Sequence, residues 1–132
     1  MWIVLPVLAL VLAAQLWVRL APLPQTRLQG MPGPDAPGVH QLAGGGKWVL
    51  PLADLPDDVQ AQLDQIAIST PRTRKLAEGT YVTRSALWGF PDVTRVWTTP
   101  DALHIHAHLV VGKSDMGVNA KRVESWLAAL TR

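Results

Sequence analysis

The stretch Leu103–Arg122, LHIHAHLVVGKSDMGVNAKR, decides how the chain is read. Its first half alternates apolar and imidazole side chains, the period of two that a strand imposes. Leu103, Ile105, Ala107 and Leu109 then face one way, and His104, His106 and His108 the other. A Gly-rich polar loop follows from Gly112 to Asn119, leading into a last helix over about Val118 to Leu130. Val123, Trp126, Leu127 and Leu130 share one face of that helix, and Asn119 or Ser114 is placed to cap it. The apolar face of the strand is expected to meet the helix. The histidines are then left on the opposite surface, open to solvent or to a partner.

Working back from this stretch, Val93–Thr99 and Thr80–Trp88 read as strands and Thr73–Glu78 as a weaker one. Pro100-Asp101, Gly89-Phe90-Pro91-Asp92 and Gly79 mark the turns between them. Short strands joined by tight turns predict an antiparallel meander. Ahead of it, Ala53–Thr70 has the grammar of a helix. Asp54 is placed to cap, Pro56 suits the first turn, and Val59, Leu63 and Ile66 form one apolar stripe. Lys47–Leu52 predicts a short strand, which Pro51 confines to an edge or an end. The sum is an α+β domain over 47–132, an antiparallel sheet carrying two amphipathic helices on one face.

The N-terminus differs in kind. Met1–Val18 carries no charge, and as a helix it would extend about 27 Å against a hydrocarbon core of about 30 Å. Trp2 and Trp17 sit near its ends and Arg19 follows directly, a pattern suited to membrane interfaces. A cleavable signal peptide would carry a basic segment ahead of its apolar core, whereas no Lys or Arg precedes Arg19. Residues 1–20 are therefore expected to be a transmembrane anchor, with the lipid bilayer as a partner. Between anchor and domain, residues 21–46 hold five prolines and six glycines, and the expectation is an extended tether.

Composition narrows the function classes. There is no cysteine, hence no disulfide framework and no zinc–thiolate site. A net charge of +2 without a basic run gives no footprint for nucleic acid. Two neighbouring histidines of the His104, His106 and His108 strand can share a metal, but the outer pair lies about 13 Å apart by strand rise and cannot meet at one ion. A metal site would need a third ligand from an adjacent strand, and no residue of the sequence names itself for that role. Arg84 shares a strand face with Val82, Ala86 and Trp88, so a carboxylate partner is expected, with Asp92 and Asp115 the candidates. With Arg122 it would clamp a small anion. Ser114, Asp115, Asn119 and Arg122 cluster around the start of the last helix, where free N–H groups attract anions. No nucleophile elbow or His-Glu-x-x-His pattern occurs, and nothing activates Ser85 or Ser114. No cofactor is implied.

The segments Tyr81-Val82-Thr83-Arg84-Ser85, Gly89-Phe90-Pro91-Asp92 and Gly112-x-Ser114-Asp115-x-Gly117-x-Asn119-x-x-Arg122 resemble the domain-of-unknown-function family 1499. Val18-Arg19-Leu20-Ala21-Pro22 and Thr70-Pro71-Arg72-Thr73 are similar to its bacterial members. The resemblance implies no established reaction. It implies short exported proteins anchored by a lipid or a membrane segment, and so a periplasmic domain on the bacterial inner membrane. Arg19 and Arg27 beside the anchor favour the cytoplasmic face instead. The chain departs from the family pattern before Gly112, where arginines are common and this chain has His108 and Val110. An anion-binding role for that strand would be lost or made dependent on pH. Together these readings predict a membrane-anchored binding or accessory module for a small anion or a membrane-protein partner. A metal-dependent enzyme using the strand histidines and a purely structural protein are the alternatives.

Overall fold

Alternation along a single strand sets both layers of this fold. The computed structural model describes residues 2–131; Met1 and Arg132, the outer ends of the expected anchor and domain, lie outside them. Six strands, β1 (Gly38–Leu42), β2 (Gly45–Pro51), β3 (Thr73–Ala77), β4 (Thr80–Arg84), β5 (Pro91–Thr98) and β6 (Ala102–Leu109), form one sheet. Its order is β1-β2-β6-β5-β4-β3 and every pairing is antiparallel. The expected meander is β3 to β6, and β2 returns beside β6 to extend it.

Helices α3 (Val59–Ser69) and α4 (Val118–Ala128) pack on one face, as the two amphipathic stripes require. Leu103, Ile105 and Ala107 of β6 meet Leu63 and Ala67 of α3 and Val123 and Trp126 of α4 in a single buried core. Trp48, Tyr81 and Val96 complete it from β2, β4 and β5. The Trp126 indole stands edge-on to Tyr81, with ring centroids 5.9 Å apart, and donates its N–H to Thr70 Oγ1 at 2.9 Å. Helix α3 starts later than expected. Leu55, held extended by Pro56 (φ −119°, ψ 160°), breaks the run, so residues 52–54 form a separate 3-10 turn.

Three expectations need correction. First, helix α1 (Val4–Leu20) has 17 residues, and no helix among the described residues is long and apolar enough to cross a membrane. Trp2 and Ile3 lie in a turn ahead of it, and Pro22 stops it at the other end, leaving a rise of about 26 Å rather than the expected 27 Å or more. None of its described residues is buried.

Second, the Pro/Gly-rich stretch is more than a tether. It forms a short helix, α2 (Gln25–Gln29), a strap over residues 25–35, and β1 at the sheet edge. The β1–β2 hairpin turns at Ala43-Gly44 and delivers Gly45 against β6, where a Cβ would fall 2.0 Å from the Ala107 carbonyl oxygen. Only glycine allows that approach. Strand β2 is thus internal, with Pro51 at its end opposite Ala102.

Third, the histidine face is closed rather than solvated, with His104, His106 and His108 at 1%, 7% and 4% exposure. The strap crosses this face, and side chains rising from three strands take its carbonyls. Thr80 donates to Leu28, Arg95 to Gly30 and Lys47 to Gly33, each at 3.3 Å.

Candidate functional site

Five of the six predicted site residues come together around the start of α4. The carboxylate of Asp115 accepts the backbone N–H of Gly117 and of Asn119, each at 3.1 Å, so Asp115 caps the helix in place of Asn119 or Ser114. Ser114 Oγ accepts the Met116 N–H one turn earlier. Asn119, fully buried, uses its amide oxygen to receive Arg122 at 2.7 Å, and Arg122 in turn pairs with Asp92 of β5 at 3.2 Å. Burial pushes the Asp92 carboxyl above its usual range; Arg122 opposes this and Asp115 adds to it. Burial also pushes Asp115 upward, but its hydrogen bonds to Gly117 and Asn119 outweigh that and leave it below the ordinary value. Each charged group in the cluster has its partner inside it. The arrangement locks α4 to the sheet.

Arg84 does not join them. Strand β4 turns Thr83 to the α4 side, opposite Asp92, and turns Thr80, Val82 and Arg84 to the other. Arg84 donates to the carbonyls of Gly89 at 2.9 Å and Val18 at 3.3 Å, so it grips the end of α1 instead of a carboxylate. Burial, then the nearby charges of Arg19 and Arg74, hold its guanidinium below the usual value. An Arg84–Arg122 clamp is ruled out, because the sheet lies between them. Around this junction Gln15 and Arg19 both donate to the Leu87 carbonyl, at 2.9 and 3.4 Å. The loop there exposes Leu87 and a stacked Trp88–Phe90 pair with centroids 6.4 Å apart.

The histidine strand has a different character. His104 stacks on Trp97 at 5.3 Å and bonds Thr99 Oγ1 at 3.0 Å. His106 and His108 have ring centroids 4.6 Å apart. The adjacent strands, which would have to supply a third metal ligand, place Lys47 and Arg95 opposite His106. Among the described residues no three His, Asp or Glu side chains are arranged to hold a metal ion. Burial pulls His106 down to about 4, and the positive charges of His108, Lys47 and Arg27 act in the same sense. His108 is lowered by burial and by Arg27, against a hydrogen bond to the Leu109 carbonyl. His104 is lowered by burial and by Lys47, with Asp35 and Asp101 opposing.

A family model described as "Protein of unknown function (DUF1499)" matches residues 48–130. The chain belongs to that family. No curated protein and no solved structure matches it. The DUF1499 match runs from Trp48 within β2 through α4, so the Asp115–Arg122 cluster and the histidine strand fall inside it, whereas α1, the strap, β1 and the start of β2 up to Lys47 fall outside.

Residues that sequence reasoning passed over lie where those two parts meet. Lys47 is fully buried, with Nζ 3.1 Å from Asp35 and 5.1 Å from the Trp97 ring centroid. Arg95 is nearly as enclosed. Their signal was present in the parity of the strands. Lys47 alternates with Trp48, and Arg95 lies between Val93 and Trp97 on one face of β5, so both were bound to sit on the histidine side.

Proposed function

We propose that this DUF1499 chain is a membrane-attached binding module, with α1 inserted in a bilayer and the domain held at its surface. The observation that carries the reading is the exposure of α1. Leu5, Leu8, Leu10, Leu12, Leu16 and Trp17 are between 51% and 72% exposed, and only the stripe of Val11, Gln15 and Val18 is half-buried. A helix apolar all round needs an apolar surrounding, and the domain covers no more than that one stripe. Its shortness is compatible with insertion, because a bilayer thins locally and flanking residues snorkel to meet a short apolar stretch. Arg19 is placed for that at the C-terminal end of α1. The Leu87, Trp88 and Phe90 loop beside it suits the interface, where aromatic rings collect.

Binding is favoured over catalysis because neither Ser85 nor Ser114 has a general base. Ser85 Oγ accepts the Phe90 N–H and Ser114 Oγ the Met116 N–H, both local turn bonds. We place the domain on the periplasmic side of a bacterial inner membrane, a placement supported by the family resemblance alone. Liposome flotation of the full chain tests attachment. The intact protein is expected to float, and the double change Leu8→Glu and Leu12→Glu to leave it in the bottom fraction with the domain's melting temperature unchanged. Flotation of that variant, or sedimentation of the intact chain, would refute the reading. Digestion of spheroplasts by an added protease should remove the domain if it faces the periplasm.

A further inference from the structure

A row of polar side chains runs across four strands beneath the strap. Lys47 on β2 stands opposite His106 on β6, His106 opposite Arg95 on β5, and Arg95 opposite Thr80 on β4. Cβ atoms so paired lie about 4.5–5.5 Å apart, and like charges facing each other there repel. All four side chains are buried. Among the described residues the only carboxylate paired with this row is Asp35, itself exposed; within the row it meets Lys47 alone, and its other neighbour is His104 Nδ1 at 3.9 Å. Arg95 has the Gly30 carbonyl and the Thr80 hydroxyl, neither of them charged. Arg27 descends from α2 to within 3.2 Å of His108 Nδ1 and adds a further cation. The enclosed Lys47 and Arg95 thus have one exposed carboxylate between them, and Arg27 adds a cation at the solvent side, an arrangement that an added anion would balance.

Hydrogen bonding points the same way. His108 Nδ1 lies 3.0 Å from the Leu109 carbonyl and 3.2 Å from the Arg27 guanidinium. With the proton on Nδ1 it donates to Leu109 and Arg27 faces a donor; with Nδ1 bare it accepts from Arg27 and the Leu109 carbonyl faces a lone pair, so either tautomer leaves one contact unmet. Nδ1 of His106 is buried with no partner among the described residues. These groups share a cleft of about 270 Å³ lined by Thr26, Arg27, Gly30, Pro32, His106 and His108. At about 30 Å³ per water that is space for roughly nine waters, ample for one small polyatomic ion.

We infer that this cleft binds a small oxyanion, a phosphate, sulfate or carboxylate group, either free or carried on a lipid headgroup, with Arg27, His106 and His108 as its donors. Arg27 offers a fork of N–H groups suited to two oxygens of one ion. Burial first, and then His108, Lys47 and Arg27, hold His106 toward its neutral form. His104, His40, Arg74 and Arg84 are the other titratable groups that the strands turn to this side, and Asp35, from the strap, is engaged by Lys47. A bound anion supplies the missing charge, favours imidazolium at His106, and so takes up a proton on binding. Affinity therefore rises as pH falls. The inference rests on the binding-module reading but not on insertion of α1.

The test is a titration of the full chain, reconstituted in phosphatidylcholine nanodiscs, with inorganic phosphate at constant ionic strength, followed by imidazole nitrogen shifts. Saturable shifts are expected at His106 and His108, at least fivefold tighter at pH 5.5 than at pH 7.5. Arg27→Met and His106→Gln should each weaken binding tenfold or more, and His40→Ala should not. Arg27 is exposed, so its variant carries the test if His106→Gln fails to fold. Nanodiscs containing phosphatidylglycerol separate the sources. The same shifts there without phosphate, and none with soluble phosphate, assign a headgroup. Shifts with soluble phosphate assign a free ion. A response to neither probe, one reproduced by chloride, or one unchanged in Arg27→Met overturns the inference. A chain that fails to float but still binds phosphate through Arg27 would refute insertion and leave this site standing.

Discussion

Arg122 on α4 lies 3.2 Å from Asp92 on β5, and the same guanidinium donates to the amide oxygen of Asn119 at 2.7 Å. Asp92 sits where β5 begins and Arg122 one turn into α4, so the pair clamps the last helix at the end nearest its cap. Both side chains are largely enclosed, at 8% and 17% exposure.

Removing one partner leaves the other charge without compensation. Asp92→Asn is expected to cost about 3 kcal/mol, at the low end for breaking a buried pair because Asp92 keeps some solvent. Arg122→Met with Asp92→Asn should cost less than the sum of the single changes, by at least 1 kcal/mol on a double-mutant cycle. Denaturant unfolding of the four proteins measures it. Additive losses would mean that the two side chains do not interact across the interface.

Gly33 is the point at which the strap comes closest to the sheet. It has φ +89°, and a Cβ there would lie 2.6 Å from Lys47 Cδ. Lys47 is fully buried and cannot swing its stem away. Gly33→Ala is therefore expected to lift the strap, weakening the Lys47–Gly33 and Lys47–Asp35 contacts together, at a cost of about 1–3 kcal/mol. Hydrogen exchange should quicken over residues 25–35, and diethyl pyrocarbonate should reach His106, while α3 and α4 stay protected. Unchanged histidine reactivity would show that the strap does not depend on this contact.

Those two sites differ in how far they were legible. The Asp115–Arg122 cluster is local, spread over eight residues with helix spacing, and only Asp92 had to be brought from elsewhere. Helix α4 and strand β6 were readable because each keeps its own hydrophobic period. Strand β1 was not, since an edge strand is held by backbone pairing with β2 and needs no apolar pattern. The strap was hidden for a related reason. Its carbonyls are taken by Thr80, Arg95 and Lys47 from three different strands, a convergence that only the register creates. Arg84 was expected beside Asp92, Asp115 and Arg122 but lies across the sheet from them, and its neighbours Val82 and Trp88 are apolar in either direction. The sheet has two covered sides, so burial could not tell them apart.

Acid should destabilise the histidine face. The folded pKa of His106, about 4, is below the ordinary 6.5, and His104 and His108 are lowered too. The folded state thus binds fewer protons than the unfolded chain between these values, and stability falls as pH falls. The contribution is complete above pH 6.5 and is lost on the way to pH 4. For His106 alone the difference corresponds to about 3 kcal/mol. Asp64 and Asp115, both lowered from 3.8, lose their contributions only below that, while Asp92, raised above 3.8, acts in the opposite sense at the acid end of the histidine window. Melting temperatures in phosphate-free buffer should drop between pH 6.5 and 4, and His106→Gln should flatten the curve. A flat profile in the parent protein would place the imidazoles in solvent.

Tyr81 gives a test of the opposite face, and it is the only tyrosine in the chain. Its hydroxyl donates to Asp64 of α3 at 2.6 Å, and the same carboxylate takes Lys75 of β3 at 2.8 Å. Burial, then the bond to Asp64 and its charge, raise the phenol well above its ordinary 10.0. With the folded value raised, stability from this group is complete below pH 10. It is lost as pH rises further, because the unfolded chain ionises first. Absorbance near 295 nm should therefore show no ionisation as pH passes 10 until the protein unfolds, and then a single cooperative step. Tyr81→Phe should remove that step and cost about 1–2 kcal/mol at neutral pH, the value of a hydrogen bond to a charged acceptor that keeps another partner. A smooth titration centred on pH 10 in the folded protein would mean that the phenol faces water. The link between β4 and α3 would then rest on the apolar core alone, with the Tyr81–Trp126 contact tying β4 to α4.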